Sequence, residues 1–169
     1  TTINPKAPVL VTGAAGYVAS WLVKYLLEAG YTVHGTVRDP NKKSGLEHLQ
    51  KLSAEHPGKL KLFAADLLKE GGFDAAMQDC ELVMHTASPF VISGFTDAYE
   101  TLVRPALEGT RNVLEAANRT PSVKRIVLTS SEAALYGAHI DARDAPTHTL
   151  DATNWTTSSR EDPKPSHYS

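Results

Sequence analysis

Residues 9–19 read Val9-Leu10-Val11-Thr12-Gly13-Ala14-Ala15-Gly16-Tyr17-Val18-Ala19, and this stretch decides the fold. Val9-Leu10-Val11 lacks the polar alternation of a half-exposed strand, so it belongs to a strand covered on both faces. Gly13 permits a tight turn after that strand. Gly16 carries no side chain where the backbone must come close to a bulky anion, and Ala19 is small enough for a helix to pack near a strand. Beyond Gly16 the period turns helical: Ala19, Leu22, Val23 and Leu26 share a face, and Gly30 stands where a C-terminal cap belongs. A strand that runs through a glycine turn into a helix offers free N–H groups and the positive end of a helix dipole. Gly-x-x-Gly also occurs in merely structural turns. Its place here, on the first strand, opening a helix, with a second strand at the right distance, points to a dinucleotide. Thr12, Gly13, Ala15, Gly16, Tyr17 and Val18 are the candidate residues of its pyrophosphate site.

Outward from this turn, apolar runs place strands at Pro8–Thr12, Thr32–Val37, Leu60–Ala64, Glu81–Thr86 and Lys124–Ser130. A long helix spans about Ala98 to Asn118, with Val103, Ala106, Thr110, Val113 and Ala117 in phase. Pro105 lies within it and predicts a bend or a late start. The alternation predicts an α/β fold with a doubly wound parallel sheet, the Rossmann arrangement. The dinucleotide version has six strands, so a sheet truncated after the fifth is expected here. From Gly137 onward Asp, Thr, Ser, Pro and His dominate and no periodic segment returns, which reads as a long surface loop. The expected organisation is a nucleotide-binding domain over residues 1–137 and a loop over 138–169, with the substrate-binding part outside the chain.

The second strand ends at Arg38 and continues Asp39-Pro40-Asn41-Lys42-Lys43. NAD sites place an acid here to bind the ribose hydroxyls; a guanidinium instead grips the 2′-phosphate of NADP. Arg38 therefore favours NADP(H), with Lys42 or Lys43 as a second charge. Asp39, turned inward, would favour NAD. Asp66 and its neighbour Leu67, just after the third strand, have the place of an adenine pocket, though Asp66 can equally cap the turn that follows.

The 169 residues suffice for one sizeable core, with 41% hydrophobic content and net charge −2. Scattered Lys and Arg give no stripe for nucleic acid and no polybasic anchor. No apolar run approaches the ~20 residues needed to span a bilayer. Residues Thr1 to Pro8 lack the apolar core of a secretory signal, and the single cysteine, Cys80, suits a reducing compartment. A cytoplasmic location is expected, and the sequons at Asn118 and Asn154 read as chance. The histidines show no ligand pairing, so no metal site is expected.

Three further stretches narrow the reading: His85-Thr86-Ala87-Ser88-Pro89-Phe90, Pro105 to Leu114, and Val127-Leu128-Thr129-Ser130-Ser131. With Thr12-Gly13-x-x-Gly16-x-x-Ala19 and Val37-Arg38-Asp39-Pro40, they resemble the extended short-chain dehydrogenase/reductases. Within that superfamily the likeness is to the branch of dihydroflavonol reductases, aldehyde and ketone reductases and cinnamoyl-CoA reductases, and it covers residues 8 to about 137. The resemblance implies NADPH-dependent reduction of a small-molecule carbonyl to an alcohol. Ser131 matches the serine that holds the carbonyl, with Ser130 as rival. Tyr168 is the favoured proton donor of the Tyr-x-x-x-Lys pair, whose lysine then falls beyond Ser169; another register puts Ser166 in the tyrosine's place. His85, Thr86, Ala87, Ser88, Thr129 and Ser130 are the implied contacts toward the nicotinamide, although His85 also suits a satisfied buried position. The chain departs from many extended members at Ala106, where they carry asparagine. A nucleotide-sugar epimerase or dehydratase and a non-catalytic NADP sensor are the alternatives on the same scaffold.

Overall fold

The computed structural model describes residues 2–42, 44–89, 94–135, 149–151 and 153. Its strands are β1 (Val9–Thr12), β2 (Val33–Val37), β3 (Leu60–Ala64), β4 (Leu82–His85) and β5 (Arg125–Leu128). They form one sheet in the order β3-β2-β1-β4-β5, and every pairing is parallel. This is the doubly wound Rossmann order, with the switch of direction between β1 and β4.

The central place of β1 explains its unbroken apolar run: Val9, Leu10 and Val11 are fully buried. Leu10 packs with Phe73, Met77, Val83 and Val113, whereas Val11 packs on the opposite face with Ala19, Val23 and Leu49. Successive strand residues point to opposite faces, so one strand feeds both cores. Helices α1 (Tyr17–Glu28) and α2 (Glu47–Glu55) cover one face; α3 (Asp74–Met77) and α4 (Arg104–Arg119) cover the other. Each fully buried aliphatic side chain contributes roughly 1.5–3 kcal/mol.

Local details follow the sequence with small shifts. Helix α1 buries Ala19, Val23 and Leu27, while Leu22 and Leu26 pack partly buried beside them. Ala29 is the cap residue, and Gly30 follows in the left-handed region at φ +87, its N–H bonded to Leu27 O at 2.9 Å. Pro105 is the second residue of α4, and a π-helical turn, Tyr99–Val103, precedes that helix. A proline cannot supply the i→i−4 bond; the helix nevertheless begins near Ala98 as its period predicts, and the irregularity ahead of Pro105 takes the form of the π turn rather than a late start.

The chain divides into two compact units, one of Thr1–Ser88 with Leu107–Thr129 and the other of Pro89–Ala106 with Ser130–Ser169. The first holds the whole sheet. In the second, Arg104 Nε donates to Glu100 Oε2 at 2.7 Å along the π turn and the start of α4, and a 3₁₀ turn spans Glu132–Ala134. Among the described residues no helix is long and apolar enough to cross a membrane, and no group of His, Cys, Asp and Glu can hold a metal ion.

Register sets the stage for the site. Thr12 pairs with His85, His85 with Leu128, and Val37 with Ala64, so these parallel strands end along one edge. Ligands of open α/β sheets bind at that carboxyl edge. The segment after β1 lies close over β2 because Gly35 leaves room: a Cβ there would sit 2.9 Å from Ala14 Cβ and 3.1 Å from Leu62 Cδ2. Gly35→Ala should therefore cost about 1–3 kcal/mol by overpacking, and adding Ala14→Gly should recover part of it. Urea denaturation of the two variants checks this; an unchanged midpoint for Gly35→Ala would remove the close approach from the account.

Candidate functional site

The turn after β1 is fixed from two sides. From β2, Thr36 Oγ1 accepts the N–H of Gly13 at 3.1 Å and Thr36 O accepts that of Ala14 at 2.8 Å. On the side of β4, Gly13 stands against Ala87: a Cβ on Gly13 would lie 3.0 Å from Ala87 Cβ and 3.1 Å from its Cα. Gly13 also has φ +67, where L side chains are strained. The fold itself demands glycine at this position.

Gly16 is different. Its backbone is extended, with φ −69 and ψ 160, and a Cβ would meet only Gly13 O, at 3.3 Å. It caps a helix of 12 residues that has no side-chain cap hydrogen bond and no acid in its first turn. Tyr17 and Val18 follow, 81% and 62% exposed. The helix start is thus open, carries the positive dipole end and has no carboxylate to compete for an anion. Ala15 and Gly16 are exposed beside it, whereas Ala14 is buried.

Thr12 and His85 lie beneath this turn. Thr12 Oγ1 accepts the N–H of Thr86 at 3.1 Å and that of Ala87 at 3.0 Å, and it lies 2.8 Å from His85 Nδ1. A hydroxyl has two lone pairs and one proton. Both lone pairs are used by backbone donors, so the proton goes to His85 Nδ1, and the imidazole is neutral with its hydrogen on Nε2. Thr86 Oγ1 returns a bond to Thr12 O at 2.6 Å. Burial lowers the His85 pKa to about 4, in line with that neutral form. Nε2 is buried and has no hydrogen-bond partner among the described residues. Both side chains are enclosed, Thr12 fully and His85 to within 2% of its surface, so they act on the site through the backbone they hold.

At the end of β2, Arg38 is exposed and forms no ion pair among the described residues. The Asp39 carboxylate turns to its own loop and accepts the N–H of Asn41 at 2.9 Å. Asp66 caps its own turn as well, accepting the N–H of Leu68 at 2.8 Å. Leu67 is half-buried, and Ser88 is exposed after β4. Thr129 follows β5 with its N–H on His85 O at 3.0 Å. Ser130 and Ser131 begin the chain's return into the second unit, and Ser131 O accepts the N–H of Ala134 at 3.1 Å. Lys43 and Tyr168 lie outside the described residues.

The first unit thus brings together the glycine turn, Arg38, Asp66–Leu67 and His85–Ser88 along one sheet edge. Sequence reading missed Thr36 and Gly35. An isolated glycine inside a strand does signal close backbone approach. The Thr36 contact has no comparable signal, because only strand register brings it beside Gly13.

The chain belongs to the NAD dependent epimerase/dehydratase family, whose model matches residues 9–159. Its relatives fall in the branch that the motifs resemble. It is 54% identical over 127 residues to the cinnamoyl-CoA reductase CAD2 of Medicago truncatula, covering 75% of this chain and 38% of that protein. The tetraketide alpha-pyrone reductase 1 of Arabidopsis thaliana is 48% identical over 153 residues, covering 89% of this chain and 45% of that one. Among solved structures, yeast methylglyoxal/isovaleraldehyde reductase Gre2 complexed with NADPH superposes with a TM-score of 0.77 at 29% identity, over 95% of this chain and 48% of that one. The chain therefore spans less than half the length of each of these proteins.

Two outcomes are expected from this geometry. Gly16→Val should lower the melting temperature only modestly, since its Cβ presses on Gly13 O at 3.3 Å, yet abolish dinucleotide binding by calorimetry; retained binding in the folded variant would make the turn purely structural. The second concerns pH. His85 has a folded pKa of about 4, below its ordinary value of 6.5, so below pH 6.5 the unfolded chain binds a proton that the folded chain refuses. This contribution is fully present above pH 6.5 and falls away toward pH 4, by roughly 3 kcal/mol in all. Burial lowers the His34 pKa too and gives the same sign. Urea melts across pH 4–7 should accordingly show a shallower slope for His85→Asn than for the parent, and equal slopes would refute the buried neutral imidazole.

Proposed function

We propose that the full-length protein reduces the carbonyl of a small-molecule aldehyde or ketone to the alcohol with NADPH. The observation that carries this reading is the contrast between the two glycines. Gly13 is required by backbone geometry, whereas Gly16, with an ordinary φ, stands exposed at a helix start with no side-chain cap, where a Cβ would meet only Gly13 O, at 3.3 Å. That end suits a pyrophosphate, held by the N–H groups of Tyr17 and Val18, since Gly16 N–H already donates to Gly13 O at 2.9 Å. Arg38 is exposed at the strand end, and the Asp39 carboxylate is engaged with Asn41, an arrangement that favours a 2′-phosphate over a bare ribose. Lys43 is assigned as the second charge. Asp66 and Leu67 wall the adenine; Ala87, Ser88, Thr129 and Ser130 border the nicotinamide end. Gre2, the structural neighbour complexed with NADPH, supports the cofactor choice.

When bound, the reduced nicotinamide supplies the hydride. The chain's own groups handle the oxygen and its proton. Ser131 Oγ donates to the substrate carbonyl and holds it in line. Tyr168 Oη then gives up its proton as negative charge gathers on that oxygen, the general-acid step. The reductases among the relatives favour this reading over an epimerase.

Arg38→Ala should weaken NADPH by about 1.5–3 kcal/mol, the worth of a charged hydrogen bond, and leave NADH almost unaffected. Equal losses for both in a fluorescence titration would overturn the 2′-phosphate assignment. Tyr168→Phe should lower kcat by about 10²- to 10⁴-fold with the NADPH dissociation constant unchanged. Full activity of that variant on a panel of aldehydes would remove Tyr168 from the proton-transfer role.

A further inference from the structure

Within itself the segment after β3 has only turn bonds, Leu68 N–H to Asp66 Oδ1 at 2.8 Å and Lys69 N–H to Asp66 O at 3.1 Å. From Asp66 to Glu70 only Leu67 is half-buried; the other four residues are exposed. Its first end is tied to β2, where Ala65 N–H reaches Val37 O at 2.9 Å, one residue before Arg38. Beyond that it depends on α4. Asn112 Nδ2 donates to Leu67 O at 2.7 Å. Gly109, buried one turn earlier, receives the Leu67 side chain: a Cβ at Gly109 would stand 2.9 Å from both Leu67 Cβ and Cδ2. Positions three apart share a helix face. That face continues into the core through Val113 and Ala116, members of the cluster against which Leu67 packs. One carbonyl and one side chain therefore moor an otherwise exposed turn to a long helix.

We propose that Asn112 and Gly109 are positioning residues for the adenosine half of the dinucleotide, fixing the Asp66–Leu67 turn at its set distance from Arg38. The proposal rests on the dinucleotide reading given above. Neither residue touches the ligand. They hold the adenine wall in place and leave the pyrophosphate turn and the His85–Ser88 end to the separate bonds already described. A loss at α4 should therefore be felt by the adenosine half alone.

The test uses the full-length protein with Asn112→Leu, which removes the donor at similar volume, and Gly109→Ala, which pushes on Leu67 without touching the hydrogen bond. Each is titrated with NADPH, with adenosine 2′,5′-bisphosphate and with reduced nicotinamide mononucleotide, and melted alongside the parent. The expected result is a rise of about 5- to 10-fold in the dissociation constants of NADPH and the bisphosphate, the worth of one hydrogen bond. Binding of the mononucleotide should be unchanged, and KM for NADPH should rise with kcat retained. Unchanged bisphosphate affinity in both variants overturns the proposal, as does an equal loss for the two half-ligands, which would mark a general loss of stability. A parent that binds neither NADPH nor the bisphosphate refutes the dinucleotide reading itself, and this proposal with it.

Discussion

One buried hydroxyl, Thr12 Oγ1, spends its full hydrogen-bonding capacity on β4: it receives Thr86 and Ala87 N–H and gives its proton to His85. An unsatisfied group at this depth would cost about 1–3 kcal/mol, so the arrangement specifies the ends of two strands at once. Ala87 is thereby held against Gly13, and that contact requires a glycine at the turn. His85 must stay neutral to accept the proton. The position of the glycine turn, the tautomer of a histidine 73 residues away and the start of the loop after β4 all follow from this one constraint.

The site separates into residues the fold needs and residues it does not. Gly13, Ala14, Gly35 and Thr36 are bound by sterics and hydrogen bonds to neighbouring strands, and no ligand is required to explain them. Gly16, Tyr17, Val18 and Arg38 have no such explanation: they are exposed at a helix start and a strand end. At Gly16 a Cβ would press on Gly13 O at 3.3 Å, a contact that a small local shift relieves, so the fold demands glycine there less strictly than at Gly13. The residues that structure leaves unexplained are the ones on which the functional reading stands.

The strands were legible because of apolar runs such as Val9–Val11, which fills the central strand, buried throughout, and the turn because Gly13 and Gly16 punctuate it. Two helices were not. Helix α3 is one turn long, too short for a period to show, and α2 has only Leu49 and Leu52 buried among polar neighbours. Arg38 was placed correctly at its strand end by pattern alone, but the orientation of Asp39 was not readable, since its Asx-type bond to Asn41 is a matter of loop geometry. The roles of Thr36 and Asn112 stayed hidden for another reason: their partners lie 23 and 45 residues distant, and only register and helix packing bring them together.

The edge of the sheet is held by two kinds of mooring. At β1 and β4 the loops are tied by three part-buried hydrogen bonds between strand ends. At β2 and β3 the loops are exposed and, apart from the bonds within their own turns, are tied by Ala65 to Val37 and by Asn112 to Leu67. Exposed, sparsely bonded segments open at lower free-energy cost than buried ones. The end assigned to the adenosine therefore leans on few ties beyond its own turns, and the bond from Asn112 to Leu67 is the one that fixes its wall. In the proposed reduction the nicotinamide end is the more demanding one, since hydride and proton transfer tolerate little misplacement.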